Sequence, residues 1–495
     1  MNPIRRRTFL ALPAAHLLAA AGIRASAISA TAEDEGVWVN DIHSALNRTK
    51  VRRVVKPGSI EELQWTFRES DRVSIAGGRH AMGGQQFAAG STLIDTSGLN
   101  RVLGLDDERG IVEVQAGIQW PELLAYLWNG QHGWGILQKQ TGADRLSLGG
   151  SLSANVHGRG LQLRPIIDQV ESFTLLNAAG DIITCSRDEN AGLFRLVIGG
   201  YGLFGVIATV KLRLGRRRKV QRVVERHRID EIPDLFAARI RDGYLYGDFQ
   251  YATANERDSF FREGLFPTYK LMPDSTPLTP NPTRFHPEDW ERLTYWSHKN
   301  RKQAFKVYES RYLATSGQVY WSDSQLSAAY VDGYHVSLDQ KTHARLPASE
   351  MITELYVPRF RLPAFMGEAR RLLRERKGNV IYGTVRIIEA DTESFLAWAR
   401  ESWACIVVNL HIVHSPSAIE HEAETFRQLI DLALAHGGSF YLTYHRWALA
   451  RQIRTAYPQI DDFLALKSKH DPQGRFKSDW HSGMTNMLVR GGSEL

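Results

Sequence analysis

Cysteine is nearly missing from this 495-residue sequence: Cys185 and Cys405 are the only two. Two thiols build no disulfide framework and no metal cluster, and their separation says nothing of whether they pair. No metal site is expected. Net charge of one sign is scarce as well. Arg5, Arg6, Arg7 and Arg24 supply four of the seven net positive charges, so cleavage beyond Ala27 leaves +3. That is too little to argue for nucleic acid. The run Arg216-Arg217-Arg218-Lys219 follows a strand-like segment and reads as a solvated edge. The apolar stretch from Leu10 to Ile23 is short and broken by Pro13 and His16, so no stable membrane span is expected. There is no internal repeat and no long low-complexity linker. A Rossmann domain is excluded too. Gly200, Gly202 and Gly205 match the dinucleotide spacing, but the β-branched residues 206–214 read as a strand where that motif needs a helix.

At the N-terminus, Arg6-Arg7 followed by Thr8, Phe9 and Leu10 is a twin-arginine pattern. Ala25-Ser26-Ala27 and Ala30-Thr31-Ala32 are candidate cleavage sites. Residues 1–32 therefore read as a signal segment, and export in the folded state to the periplasm is expected. The densest feature follows at residues 75–86, which hold Gly77, Gly78, Gly83 and Gly84 with His80, Gln85 and Gln86. Glycines this close let the backbone turn tightly and bring its N–H groups near a ligand. Successive N–H groups in such a turn form an anion site suited to a diphosphate. A second small-residue stretch, residues 147–160, contains Gly149, Gly150, Ser153, Asn155, His157 and Gly158.

Local patterns order the rest. Ser59 and Glu62 form a capping-box pattern ahead of a helix to about Ser70. Strands are expected at 72–76, 92–95, 99–105 and 110–116, and a helix at 120–128 with Pro121 in its first turn. Residues 170–177 and 182–186 read as a hairpin, and 191–198 as a short helix. Residues 221–350 change character and include a Pro-rich loop at 273–287. Further strands are expected at 354–358, 379–388, 405–413 and 440–444, with helices at 363–375 and 417–435.

Taken in order, Gly77-Gly78-Arg79-His80, Leu93-Ile94-Asp95, Ala116-Gly117, Gly149-Gly150-Ser151, His157-Gly158 and the glycines at 199–205 resemble the vanillyl-alcohol oxidase superfamily. The resemblance implies an α+β fold. A two-subdomain FAD-binding domain of the p-cresol-methylhydroxylase type is expected at 46–217. An antiparallel-sheet substrate domain with flanking helices is expected at 218–455, with a tail, 456–495, returning to the FAD domain. It also implies FAD as cofactor. Its binding would fall to Ala76, Gly77, Gly78, Arg79, His80, Ala81, Gly83, Gln85, Gly149, Gly150, Ser153, Asn155, Gly158 and Ile207. His80 occupies the position of the family's covalent flavin histidine; its other reading is a non-covalent contact.

Asn155-Val156-His157-Gly158 resembles the decaprenylphosphoryl-ribose oxidases, and Arg386 with the residues after it resembles the alditol and aldonolactone oxidases. The latter usually carry an acid two residues before the arginine, where this chain has Thr384. The resemblance implies oxidation of a CH–OH group on a sugar, polyol or lactone, with electrons passed to O₂ or a redox partner. A cytokinin-dehydrogenase-like amine oxidation and a non-catalytic exported sugar-binding protein remain as alternatives. His157 is the candidate base, or else only a hydrogen-bonding histidine. Arg386 and Thr384 alternate onto one strand face, so the pair is expected to orient a substrate oxygen. Glu354 and Tyr444 are further catalytic candidates.

Overall fold

The computed structural model describes residues 36–130, 133–327 and 333–490. The twin-arginine segment lies outside the described residues.

The N-terminal half holds two sheets. Arg53–Val55, Thr92–Asp95 and Val73–Ala76 form a parallel sheet with Thr92–Asp95 in the middle. The helix Ile60–Arg68 starts where Ser59 Oγ accepts the Glu62 N–H at 3.2 Å. Its apolar face, Leu63 and Phe67, packs on Val73 and Ile94. The second sheet is antiparallel, in the order Ile182–Ser186, Val170–Leu176, Val206–Arg213, Ile111–Gln115, Val102–Asp106. Val206–Arg213 is its central strand, as β-branched alternation demands and a Rossmann helix would not allow. Leu176, Val206 and Ala208 share a core with Leu63 and Phe67, which joins the two sheets.

The C-terminal half is built on two antiparallel sheets, not one. The first orders Tyr244–Gly247, Glu263–Met272, Lys219–Arg228 and Val319–Trp321, with Gln250–Tyr251 also pairing to Glu263–Met272. The second orders Val380–Ile388, Trp403–Val413, Ala348–Pro358 and Ser439–Phe440. They meet where Phe249 and Val385 exchange backbone hydrogen bonds of 2.8 and 2.7 Å. That junction brings Asp248 beside Thr384.

The expected strand at 440–444 is corrected: only Ser439–Phe440 pairs in the sheet. The next residues turn away because their backbone bonds go to the first glycine turn. Leu442 O accepts from Gln85 Nε2 at 2.7 Å and Thr443 O from Met82 N at 3.0 Å. The basic run near 216 is not simply a solvated edge. The Arg216 guanidinium lies 3.8 Å over the Trp134 ring, and Arg217 pairs with the buried Asp323 at 3.0 Å. Helices Pro287–Lys299 and Arg301–Leu313 are absent from the sequence expectations; the first buries Leu293 and has an apolar stripe, the second buries Ala304 and Tyr312 and has none. Their surviving signals are Pro287 in a first turn and Asn300 Oδ1 accepting the Gln303 N–H at 3.1 Å.

The tail docks on the parallel sheet. Phe476 bridges to Val73, and the Arg475 guanidinium stacks 3.6 Å over Phe67. Asp479 accepts from Thr49 Oγ1 at 2.7 Å.

Candidate flavin and substrate site

A cavity of about 1240 Å³ runs from the two glycine stretches to one face of the Val380–Ile388, Trp403–Val413, Ala348–Pro358 sheet. Gly77, Gly78, Arg79, His80, Ala81 and Gln85 line it from the first turn. Gly149, Gly150 and Ser153 line it from the second stretch, which forms the short helix Leu148–Ala154, and Ile207 lines it from the central antiparallel strand. The two stretches are in contact. A Cβ at Gly77 would sit 1.9 Å from Ser147 Oγ, the atom that accepts the Gly150 N–H at 3.2 Å. Rotating Ser147 away would give up that bond and still leave its Cβ at 3.0 Å. Gly77→Ala is therefore expected to cost about 1–3 kcal/mol of stability by overpacking and to loosen cofactor binding. Thermal unfolding with and without added FAD measures both.

Four expected cofactor residues do not reach the wall. Ala76 ends its strand, with its carbonyl accepting from Thr96 Oγ1 at 3.1 Å. Gly83 packs under Tyr444 O, and Gly158 is bonded to Gln138 Oε1 at 3.1 Å. Asn155 is fully buried, and its amide is used by Asp391, by Ser394 and by the Ile167 N–H.

The four catalytic candidates do meet, although they come from distant segments. Arg386 and Tyr444 line the cavity. Glu354 lies behind them, accepting from Tyr444 Oη at 3.3 Å on one oxygen and contacting His157 Nε2 with the other. His157 is thus set one layer back, only 1% exposed, which corrects the expectation that it reaches the reacting centre. Its Nδ1 is 3.1 Å from Gly158 O. A carbonyl only accepts, so that nitrogen carries the hydrogen. Arg386 is 4% exposed, and its Nε and Nη1 have no hydrogen-bond partner among the described residues. Thr384 is also corrected. It is fully buried and donates to Asp248 Oδ2 at 3.1 Å, so it is not paired with Arg386 on substrate.

Residues 51–186 match the family described as FAD binding domain. L-gulono-1,4-lactone dehydrogenase of Mycobacterium tuberculosis is 24% identical over 441 residues, covering 86% of this chain and 94% of that protein. L-gulonolactone oxidase of Bos taurus is 32% identical over 162 residues, covering 32% of this chain and 36% of that protein. Cytokinin dehydrogenase 9 of Oryza sativa is 30% identical over 181 residues, covering 34% of each. The FAD-binding match and these lactone-oxidising relatives are those of the vanillyl-alcohol oxidase superfamily. The chain is an FAD-linked oxidoreductase. The cradle where only glycine fits at Gly77, and the Arg386 Nε and Nη1 left without a hydrogen-bond partner among the described residues, suit an anionic, planar cofactor and its substrate.

This flavoprotein also holds site residues that sequence reasoning missed. His43 Nε2 lies 2.9 Å from His80 Nδ1, and His43 Nδ1 lies 3.8 Å from Glu350 Oε2. Burial, then the neighbouring His80 and His335, holds His43 well below its ordinary value, so it stays neutral. Burial pushes the Glu350 carboxyl up, although Tyr334 donates to it. Nothing local in sequence links residues 43, 80 and 350; only the fold joins them. Asp248 is the other missed residue, an acid brought beside Thr384 from a different strand. His157, Glu354 and Cys405 place three ligand-type atoms within 4.8 Å of one another. Burial pushes the Cys405 thiol well up, which disfavours the thiolate a metal would need. Cys185 and Cys405 are both free and buried.

Proposed function

We propose that the protein oxidises a CH–OH group of a sugar, polyol or lactone, with FAD attached through His80. The observation that carries the reading is the Tyr444–Glu354–His157 chain ending at the cavity wall beside Arg386, whose Nε and Nη1 have no hydrogen-bond partner among the described residues. The lactone names of the relatives support the donor class. Bound FAD supplies the acceptor for the donor's hydride. The chain's own residues manage the proton and the charge. A donor hydroxyl bonded to Tyr444 Oη passes its proton to that oxygen while the tyrosine's own proton moves to Glu354 Oε2. Burial keeps the Tyr444 phenol well above its ordinary value, so it relays the proton and does not hold the charge. The Arg386 guanidinium stabilises the negative charge that develops as the hydroxyl loses its proton. The electron acceptor is O₂ or a redox partner.

Anaerobic mixing of the purified yellow protein with a panel of polyols, aldonolactones and secondary amines tests the reading. Bleaching of the flavin by a CH–OH donor is the expected result. Bleaching by amines alone would transfer the protein to the cytokinin-dehydrogenase type, and a protein colourless even after FAD addition would refute the assignment.

A further inference from the structure

One end of the cavity carries more positive charge than its own carboxylates balance. Arg159 and Arg222 line it together with Arg386. Arg222 is fixed in an aromatic sleeve, with its guanidinium 4.7 to 5.3 Å from the Tyr320, Tyr312 and Tyr269 ring centres. Its Nε donates to Tyr269 Oη at 3.1 Å and its Nη1 to Thr315 Oγ1 at 3.0 Å. Arg159 stacks on the other arginine's partner, 4.9 Å from the Tyr269 centre; its Nη2 donates to Gln325 O, and its Nε is buried without a hydrogen-bond partner among the described residues.

The counter-charge is thin. Asp248 pairs with Arg159 at 3.5 Å and is shared with Thr384 and Gln250. Glu354 is already committed to His157 and Tyr444. The nearby Lys139 is neutralised by Asp144 at 2.6 Å. Of the acids on the wall itself, Glu291 is paired with Lys341, Glu350 is held by Tyr334, and Glu288 is exposed. Among the described residues, three guanidiniums thus face two carboxylates: Asp248, shared by Arg159, Thr384 and Gln250, and Glu354, shared by Arg386, His157 and Tyr444. The excess leaves a mark on Tyr269: burial pushes its phenol up, yet Arg159 and Arg222 draw it below its ordinary value. Buried charges without partners are unfavourable, and guanidinium forks match carboxylate and phosphate oxygens.

We propose that Arg159 and Arg222 form an oxyanion-binding subsite, so that the donor is a polyol or sugar carrying a phosphate or carboxylate group. The proposal rests on the CH–OH reading above and narrows its substrate class. The sleeve of tyrosines holds Arg222 in place before the ligand arrives, so little side-chain freedom is lost on binding.

The test is equilibrium binding to the oxidised holoenzyme in chloride buffer at constant ionic strength. Glucose, gluconate, glucose 6-phosphate and inorganic phosphate are titrated while the flavin absorbance and the unfolding temperature are followed. Gluconate or glucose 6-phosphate is expected to bind at least about ten-fold tighter than glucose, one charge group at one interaction's worth of affinity. The stronger of the two distinguishes a carboxylate from a phosphate. Arg222→Gln should abolish the advantage and Arg222→Lys should restore part of it, with circular dichroism establishing that both fold. Equal binding of all three sugars, or an advantage untouched in Arg222→Gln, overturns the subsite. Binding is read without turnover. If oxyanions bind but no CH–OH donor bleaches the flavin, the proposed reaction fails and the subsite stands. If neutral polyols bleach it and bind as well as their charged counterparts, the subsite alone fails.

Discussion

Tyr444→Phe is expected to slow reduction of the bound flavin by roughly 10²–10⁴-fold, the range general acid–base assistance supplies, while leaving FAD in place. Tyr444 lines the cavity, and its hydroxyl is the link to Glu354 Oε2 at 3.3 Å. Removing one oxygen breaks the proton path without disturbing the ring that packs against Tyr441 at 5.9 Å. Stopped-flow bleaching with a saturating donor measures the effect, and unchanged bleaching would remove the relay. The pH profile carries a second signature. Burial pushes the Glu354 carboxyl up, but His157, Arg386 and Tyr444 outweigh it and hold it below its ordinary value of 4.5. A carboxylate with a depressed folded value stays an acceptor above it and is lost as pH falls through it. Flavin reduction limited by this group should therefore hold down to pH 4.5 and fall only below. The stabilisation Glu354 contributes to the fold should follow the same window.

His80→Ala is expected to change flavin retention from complete to none after acid precipitation. In the wild type the precipitate should stay yellow and fluorescent, because a carbon–nitrogen bond survives unfolding. His80 stands on the cavity wall, and its Nδ1 is engaged by His43 Nε2 at 2.9 Å. The proposed attachment would then use Nε2, with the neutral His43 placed to take a proton from Nδ1. His43→Ala should accordingly leave the fold intact and lower the fraction of attached flavin. Mass spectrometry of the flavin peptide reports the bonded nitrogen and the fraction together. A wild-type protein that surrenders all its flavin would leave His80 as a ring or phosphate contact.

Much of the fold was legible because its signals are local. The Ser59 cap, the hairpin at 170–186 and the central strand Val206–Arg213 depend on residues a few positions apart, and each forms near where the pattern places it. Helix Arg301–Leu313 was not legible because its polar side chains surround it and leave no 3.6-residue rhythm, whereas Pro287–Lys299 has such a rhythm but starts at the end of the Pro-rich loop. The strand at 440–444 was misplaced because alternation alone does not say whether a neighbouring strand or a glycine turn will take the backbone bonds. The site divided in the same way. Gly77, Gly78, His80, Gly149 and Gly150 were visible as composition, while His43, Asp248 and Glu350 were not, having no motif around them.

By itself the sequence determined the glycine turns, the caps, the strand faces and the hairpin at 170–186. These follow from φ/ψ preference and side-chain periodicity, which act between near neighbours. Only the tertiary structure decided which polar groups meet. His157 and Glu354 are 197 positions apart, and Asp248 and Thr384 are 136 apart. Their meeting depends on strand register and on the Phe249–Val385 junction between two sheets. A one-residue slip of the Ala348–Pro358 strand would turn Glu354 to the other face, so the cavity chemistry rests on the packing that sets that register.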